Sequence, residues 1–158
     1  MDCFAELGNV YPTIKSTERK IDLLVVHCSA TEYGAEFLAQ DIHQWHLDND
    51  WNGIGYHYVI TAHGTIQKGR SDECEGAHAE GFNQNSLGIC LIGGMHNGIA
   101  TDNGYSKEQY AALYNLIKKL LAYHPGSQIA GHKELPGVNK ACPCLSSDYL
   151  NLIRDLVQ

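Results

Sequence analysis

The sequence predicts an α/β fold, a single domain in which a mixed β-sheet is flanked by helices. Strands are predicted at 21–27, 56–61 and 86–92. The segments at 21–27 and 86–92 are apolar runs of strand length, which are typical of buried strands. Apolar side chains recur at helical spacing over 35–48 and 106–121, which indicates amphipathic helices. Strand and helix segments alternate along the chain, and that order favours a sheet with helices on its faces.

Turn and capping signals predict the remaining elements. A turn at Gly64 pairs 65–68 back on the preceding strand as a hairpin. Ser106 is followed by a glutamine three residues later, the pattern of a capping box, so the second helix begins there. A short strand at 128–131 and a helix at 146–157 complete the pattern.

The chain has 158 residues, a length that indicates one domain. Residues 1–20 are polar and mixed in character, and we interpret them as an N-terminal arm that leads into a domain spanning 21–158. A long loop over 69–85 is rich in Gly, Asn, Asp and His. Loops of this length inside a compact domain are usually functional.

The charge and hydropathy of the chain exclude several classes of function. The formal net charge is −7, which disfavours binding to nucleic acid through a basic face. No apolar run approaches the roughly 18 residues of a membrane span, so we expect no membrane insertion. The first residues lack the basic and apolar regions of a secretory signal. We therefore expect the protein to be made in the cytoplasm. We also expect it to be a monomer.

The six cysteines are expected to be mostly free thiols, because a chain of this length does not need disulfides to fold. Cys28 and Cys90 lie in apolar runs and are typical of small core residues. Cys144 lies two residues after Cys142. It could be an alternative metal ligand, the partner of Cys142 in a disulfide, or an inert thiol.

Three side chains form a candidate zinc site. His27 ends the first strand, His132 follows the strand at 128–131, and Cys142 comes ten residues later. Open α/β sheets place their sites at such strand ends. Three protein ligands of this type leave a fourth position for water, which is typical of catalytic zinc. Spacing alone leaves another interpretation open, namely two hydrogen-bonded histidines and a buried thiol.

Several separate motifs, in this order, resemble the type 2 N-acetylmuramoyl-L-alanine amidases over roughly residues 22–157. The small phage lysozymes of that family resemble the chain most, and bacterial anhydro-muropeptide amidases and animal peptidoglycan recognition proteins are more distant. The motifs are VVHCSAT at 25–31, QWH at 44–46, GYHY at 55–58, GAHAEGFNQNSLG at 76–88, GHKE at 131–134 and KACP at 140–143.

The resemblance implies an amidase fold like that of the recognition proteins, with 21–158 as the zinc amidase domain. It implies Zn²⁺ as cofactor, with His27, His132 and Cys142 as ligands, and peptidoglycan or a muropeptide as substrate. The reaction is hydrolysis of the amide between N-acetylmuramic acid and L-alanine. Tyr56 and Lys140 match the catalytic side chains, and both types of side chain can stabilise a developing oxyanion.

Four further residues have weaker assignments. His78 and Asn83 lie in the long loop and are candidates to bind substrate, although a solvated loop is an equal alternative. Glu134 follows His132 closely and could orient it, as ligand histidines usually need an acceptor. His57 points away from Tyr56 on the predicted strand, which favours a core or supporting role.

The resemblance favours a phage or prophage endolysin that acts on the cell wall from the periplasm. An acidic chain suits thin peptidoglycan better than a wall rich in anionic polymers. A non-catalytic peptidoglycan-binding module is one alternative, although Tyr56, Lys140 and Cys142 are all present and favour catalysis. An amidase for muropeptide recycling, or an effector amidase, would use the same chemistry and is not distinguished.

Overall fold

The computed structural model describes residues 1–138 and 142–157. Within this part there are eight strands, three α-helices and three short 3₁₀ turns. The strands are β1 (Leu23–Cys28), β2 (Thr31–Glu32), β3 (Tyr58–Ile60), β4 (Ile66–Lys68), β5 (Ser86–Leu91), β6 (Gly94–His96), β7 (Ile99–Ala100) and β8 (Gln128–Gly131). The helices are α1 (Ala39–Asp48), α2 (Lys107–Tyr123) and α3 (Ser147–Val157), and the 3₁₀ turns are Asn83–Asn85, Asp102–Gly104 and His132–Glu134.

The main sheet has five strands in the order β4-β3-β5-β1-β8. Strand β1 is parallel to both of its neighbours, β5 and β8, and β3 is parallel to β5. Strand β4 is antiparallel to β3, as the hairpin prediction required. The predicted mixed sheet is confirmed, and the carboxyl ends of β1, β5 and β8 meet at one edge, where such sheets place their sites.

The two faces of β1 have different neighbours, because successive side chains on a strand point to opposite faces. Leu24 and Val26 belong to the large apolar core that α2 and α3 cover. Leu23 and Val25 pack in a smaller cluster on the opposite face. His27 continues this second series, so its side chain points away from α2 and α3.

The helices begin where their caps lie. The Ser106 hydroxyl accepts the N–H of Gln109 at 3.2 Å, and the Gln109 amide oxygen accepts the N–H of Ser106 at 3.0 Å. The predicted capping box of α2 is therefore confirmed. Helix α1 begins at Ala39, later than the predicted 35. The backbone is still extended at Leu38, and the Asp41 carboxylate accepts the N–H of Leu38 at 2.7 Å, which caps the helix at this point. None of the described helices is long and apolar enough to cross a bilayer.

A second sheet lies where the sequence analysis predicted no strands. Strands β2, β6 and β7 form it, with β6 and β7 antiparallel. The Glu32 carboxylate accepts the main-chain N–H groups of Asn97 and Gly98 in the turn between β6 and β7. These strands are only two or three residues long, so their sequence carries no detectable alternation.

The N-terminal segment is attached to the domain. A disulfide joins Cys3 to Cys74, and the N–H of Gly8 donates to the carbonyl of Lys68 at 2.8 Å. The four free cysteines among the described residues are Cys28, Cys90, Cys142 and Cys144. Most cysteines are therefore thiols, as predicted, but the Cys3–Cys74 pair escaped the sequence analysis because its partners are 71 residues apart.

The long loop over 69–85 is also held by Arg19. The Arg19 guanidinium donates to three main-chain oxygens at 2.8–3.1 Å, those of Asp72, Asn83 and Ser86. Together with the disulfide, these bonds attach the N-terminal segment to both ends of the loop. The loop is consequently ordered rather than freely solvated.

Cys3→Ser is expected to lower the free energy of unfolding by about 4 kcal/mol, because the disulfide closes a long loop in the unfolded chain. For a chain of this size that corresponds to a loss of roughly 10 °C in Tm. Thermal unfolding monitored by circular dichroism would measure it. A phosphine reductant should lower the Tm of the wild type by a similar amount and leave Cys3→Ser unchanged. Equal Tm values for the two oxidised proteins would contradict the prediction.

Candidate metal centre and active site

The structure brings together the three residues proposed from the sequence as metal ligands. One donor atom from each of His27, His132 and Cys142 lies within 4.8 Å of the other two. His27 lies near the carboxyl end of β1, and His132 follows the neighbouring strand β8. Parallel pairing of β1 with β8 therefore places the two imidazoles side by side, with ring centroids 4.6 Å apart.

The separation of His27 and Cys142 fits a tetrahedral zinc ion. The Nδ1 atom of His27 is 3.7 Å from the Sγ atom of Cys142. Zinc bonds of ordinary length at tetrahedral angles separate a nitrogen and a sulfur ligand by about 3.6 Å. His27 is only 1% exposed, so the ligand that lies on β1 is shielded from solvent. The donor set and its spacing therefore fit zinc without rearrangement of these two residues.

Cys142 is held against the strand that carries His27. Its sulfur accepts the main-chain N–H of Cys28 at 3.2 Å, and its carbonyl accepts the N–H of Lys133 at 2.8 Å. A metal requires the thiolate form of a cysteine ligand, and an N–H directed at the sulfur suits that charge. These two bonds fix Cys142 between β1 and the turn that begins with His132.

Tyr56 lies beside the candidate metal centre. Its ring centroid is 5.0 Å from that of His27. We expected Tyr56 to lie on a strand, but it precedes β3. Burial raises the pKa of the Tyr56 phenol well above its ordinary value. The hydroxyl consequently keeps its proton at neutral pH and can donate a hydrogen bond to a carbonyl oxygen.

An aromatic surface continues from Tyr56 to His46 and Trp51, and the sequence analysis gave His46 and Trp51 no role. The His46 ring is 5.6 Å from Tyr56 and 4.5 Å from Trp51, measured between centroids. Trp51 is 46% exposed. The QWH motif at 44–46 could have indicated a role for His46, because it is one of the motifs that resemble the amidase family. In the structure, His46 lies on the last turn of α1.

Two buried histidines lie behind His27. His57 is fully buried, and its Nδ1 accepts the N–H of Gly88 at 3.1 Å while its Nε2 donates to the carbonyl of Cys74 at 2.8 Å. The His78 ring is centred 5.8 Å from that of His57. His78 is 9% exposed, and its Nδ1 lies 2.8 Å from the Nε2 of His27.

Comparison with known proteins decides the family. The sequence profile of the N-acetylmuramoyl-L-alanine amidase family matches residues 17–144 of this chain. The chain belongs to this family. It is a hydrolase, an N-acetylmuramoyl-L-alanine amidase similar to phage endolysins, and the family and the activity predicted from the sequence are confirmed.

Two kinds of protein are similar to this amidase. The endolysin of Escherichia phage T7 is 38% identical over 122 residues, which cover 77% of this chain and 80% of the endolysin. The amidase LysC from Clostridium intestinale has the same fold, with a TM-score of 0.71, 24% identity and 87% of each chain covered. Drosophila peptidoglycan recognition protein LB is similar as well, with a TM-score of 0.67 and 25% identity over 87% of this chain and 80% of that one.

Glu134 supports the turn of the amidase that carries His132. Its carboxylate accepts the N–H of Gly131 at 2.8 Å and forms an ion pair with Arg154. The Arg154 side chain also donates to the carbonyl of Ile129 on β8 at 2.9 Å. Glu134 therefore links α3 to the end of β8, directly before His132. That it orients His132 remains a prediction.

Asn83 and His78 occupy positions inside the loop. The side-chain oxygen of Asn83 accepts the N–H groups of His78 and Ala79 at 3.0 and 2.9 Å. Burial lowers the pKa of His78 well below its ordinary value, so the ring is neutral. Contact of either residue with substrate stays a prediction. Lys140, the second proposed catalytic residue of the amidase, lies outside the described residues.

Cys144 is a free thiol whose sulfur lies 3.4 Å from that of Cys28. Both residues are buried in the core beneath α2 and α3. Burial raises the pKa of the Cys144 thiol to about 12, so this group is a thiol at neutral pH. Of the three alternatives left open for Cys144, the arrangement favours the inert thiol, since its sulfur contacts Cys28.

Acid is expected to destabilise the metal-free amidase through His57. Burial, with a contribution from the charge of Lys68, lowers the pKa of His57 well below 6.5, while the unfolded chain has the ordinary value. As pH falls below about 6.5, the unfolded chain takes up a proton that the folded chain does not. The free energy of unfolding therefore has its full value above that pH. Below that pH it decreases, by up to about 1.4 kcal/mol per pH unit.

Urea unfolding in a chelator at pH 7.5, 6.5 and 5.5 would measure this effect. His57→Asn keeps an acceptor for the N–H of Gly88 and should be less stable at pH 7.5, with a weaker pH dependence. An identical pH slope in wild type and His57→Asn would contradict the prediction.

Proposed function

We propose that the amidase is zinc-dependent, with the ion held by His27, His132 and Cys142, and that it cuts the bond between N-acetylmuramic acid and L-alanine in peptidoglycan. The observation that carries the proposal is the convergence of the three donor atoms within 4.8 Å. The donor types support it, because two imidazoles and one thiolate with an open fourth position are typical of catalytic zinc.

The roles of the protein side chains follow from their positions. A zinc ion in this site would polarise the scissile carbonyl and activate the attacking water. The Tyr56 hydroxyl would donate a hydrogen bond to the carbonyl oxygen as negative charge develops on it. Lys140 would add a positive charge to the same oxygen, a role supported by its match to the family motif alone. The buried side of the site, beside His27, would limit the access of bulk water.

The aromatic surface formed by Tyr56, His46 and Trp51 supports binding of an extended substrate. It leads from the metal centre to an exposed indole. Aromatic rings offer large, rigid apolar faces with polar edges, a combination that suits the sugar and peptide parts of a muropeptide. The Drosophila recognition protein LB, which shares the fold, has a mutant form solved in complex with tracheal cytotoxin.

The proposed biological role is that of an endolysin acting in the periplasm as a monomer. The similar phage T7 protein is named an endolysin. The Cys3–Cys74 disulfide supports action outside the cytoplasm, because disulfides persist in oxidising compartments. The net charge of −7 supports thin peptidoglycan as the target, since anionic wall polymers would repel the protein.

Metal removal combined with product analysis tests the proposed function. A strong chelator should abolish the release of stem peptides from purified sacculi, and zinc should restore it. Mass spectrometry of the products should show free N-terminal L-alanine and intact N-acetylmuramic acid. Unchanged activity in the metal-free protein would overturn the zinc proposal. Intact sacculi after long incubation with the zinc-loaded protein would favour a binding module.

A further inference from the structure

One buried imidazole beside the candidate metal centre, that of His78, has no role in the proposed ligand set. The Nε2 of His27 lies 2.8 Å from the Nδ1 of His78, on the opposite side of the His27 ring from Cys142. The two rings are nearly perpendicular, at 89°, with centroids 4.9 Å apart. His78 therefore contacts the ligand through the ring nitrogen that does not face the sulfur.

The sheet has a space for the His78 ring because two neighbouring residues lack a side chain. A Cβ atom on Gly88 would lie 2.7 Å from the ring, and one on Gly76 would lie 2.6 Å from it. Gly88 is paired with Val25 on β1, two residues before His27. Any side chain at these positions would displace the imidazole, so the glycines are a requirement of this contact.

The main chain around His78 is fixed independently of the ring. Asn83 accepts two consecutive N–H groups, those of His78 and Ala79. On the far side of the ring, the Nε2 of His78 lies 3.1 Å from the Ser86 hydroxyl. His78 is thus held at its backbone and at both ring nitrogens, in a line that runs from Ser86 to His27.

The direction of these hydrogen bonds has a consequence for His27. A neutral His78 that donates from Nε2 to Ser86 accepts at Nδ1 the proton on the Nε2 of His27. His27 then presents the lone pair of Nδ1 toward Cys142, as a metal ligand must. The reverse direction would place a proton on Nδ1 of His27, between the ring and the sulfur, and would oppose metal binding.

We infer that His78 is a positioning residue, which selects the tautomer and the orientation of His27 in which Nδ1 presents its lone pair to the metal. The inference deepens the proposed function and rests on it, because it assigns an acceptor to one of the proposed ligands. Ligand histidines bind more tightly when the second ring nitrogen donates to a fixed acceptor, and loss of that acceptor weakens metal affinity about 10- to 100-fold.

Zinc affinity of His78 variants is the first test, measured by competition with a chromophoric chelator. His78→Leu fills the space without an acceptor, and its zinc Kd should rise about 10- to 100-fold. His78→Asn offers an oxygen near the position of Nδ1 and should restore most of the lost zinc affinity. An unchanged Kd in folded His78→Leu, or equal losses in both variants, would overturn the inference.

His124→Asn is the matched control, because His124 is also a buried histidine but lies at the end of α2. Its Nε2 atom has no hydrogen-bond partner in the part of the chain that the structure describes. Its zinc Kd should equal that of the wild type. Near-ultraviolet circular dichroism of each metal-free variant reports whether the fold is retained. If His78→Leu does not fold, the spectroscopic measurement on the wild type decides.

That measurement is the tautomer of His27 in the metal-free wild type, read from two-bond ¹⁵N–¹H correlations of the imidazoles. We expect the proton on Nε2 of His27 and on Nε2 of His78. A proton on Nδ1 of His27 would overturn the inference even if zinc binds. Failure of the wild type to bind zinc would overturn the proposed metal centre instead, and the spectrum would still decide the hydrogen bond to His78.

Discussion

Cys142→Ser is expected to remove most of the bound zinc, and with it the amidase activity. The change replaces the anionic ligand of the set with a neutral hydroxyl, while the two imidazoles of His27 and His132 remain. Two neutral ligands hold zinc far more weakly than a set completed by a thiolate. Zinc content after dialysis, measured by atomic emission, and peptide release from sacculi would both fall to near background.

Cys144→Ala is the matched control for that experiment. Its thiol is buried against Cys28, on the side of the sheet that α2 and α3 cover. Some stability should be lost through the smaller side chain, but zinc content should stay at one ion per chain. Full zinc occupancy in Cys142→Ser would refute the ligand assignment, whereas loss of zinc in Cys144→Ala would show that this thiol takes part.

Tyr56→Phe is expected to keep the metal and to lower kcat by about 10²- to 10³-fold, the usual cost of losing one donor to the oxyanion. The ring contacts with His27 and His46 do not involve the hydroxyl, so the fold and the zinc Kd should be unchanged. The change in KM should be small, because the hydrogen bond is strongest in the transition state. Lys140→Ala is expected to act similarly.

Tyr33→Phe controls for the loss of a hydroxyl elsewhere, because Tyr33 lies on the protein surface beside the second sheet. Its kcat and KM should match those of the wild type. Steady-state kinetics on a soluble muropeptide, with zinc content measured on the same samples, separates loss of metal from loss of the donor. A Tyr56→Phe enzyme with unchanged kcat would remove this hydroxyl from the proposed mechanism.

Local sequence patterns were sufficient for most of the main sheet and for α2. The apolar run at 21–27 became β1, two residues inside its predicted start, and the Ser106 capping box became the start of α2. These signals are reliable because burial and capping act between residues that are close in sequence. In the second sheet, the pairing of β2 with β6 joins distant residues and gave no local signal. The turn between β6 and β7 is Asn97-Gly98, a local hairpin signal that the sequence analysis did not use.

Local sequence patterns predicted the candidate site only in part. Spacing alone left His27, His132 and Cys142 as one possibility among many pairs of histidines, and the resemblance to a family selected them. Their convergence depends on the pairing of β8 with β1. No local pattern predicts which distant strand lies beside β1, because that choice is made by the packing of the whole sheet.

By itself the sequence determined the chemical groups of this amidase, the family to which it belongs and the buried strands that carry the groups. Tertiary structure alone decided that Cys3 pairs with Cys74, that Cys144 contacts Cys28 and that His78 lies behind His27. Each of these contacts joins residues 51 to 116 positions apart. Such contacts form only when strands and loops pack together, so they leave no periodic trace in the sequence.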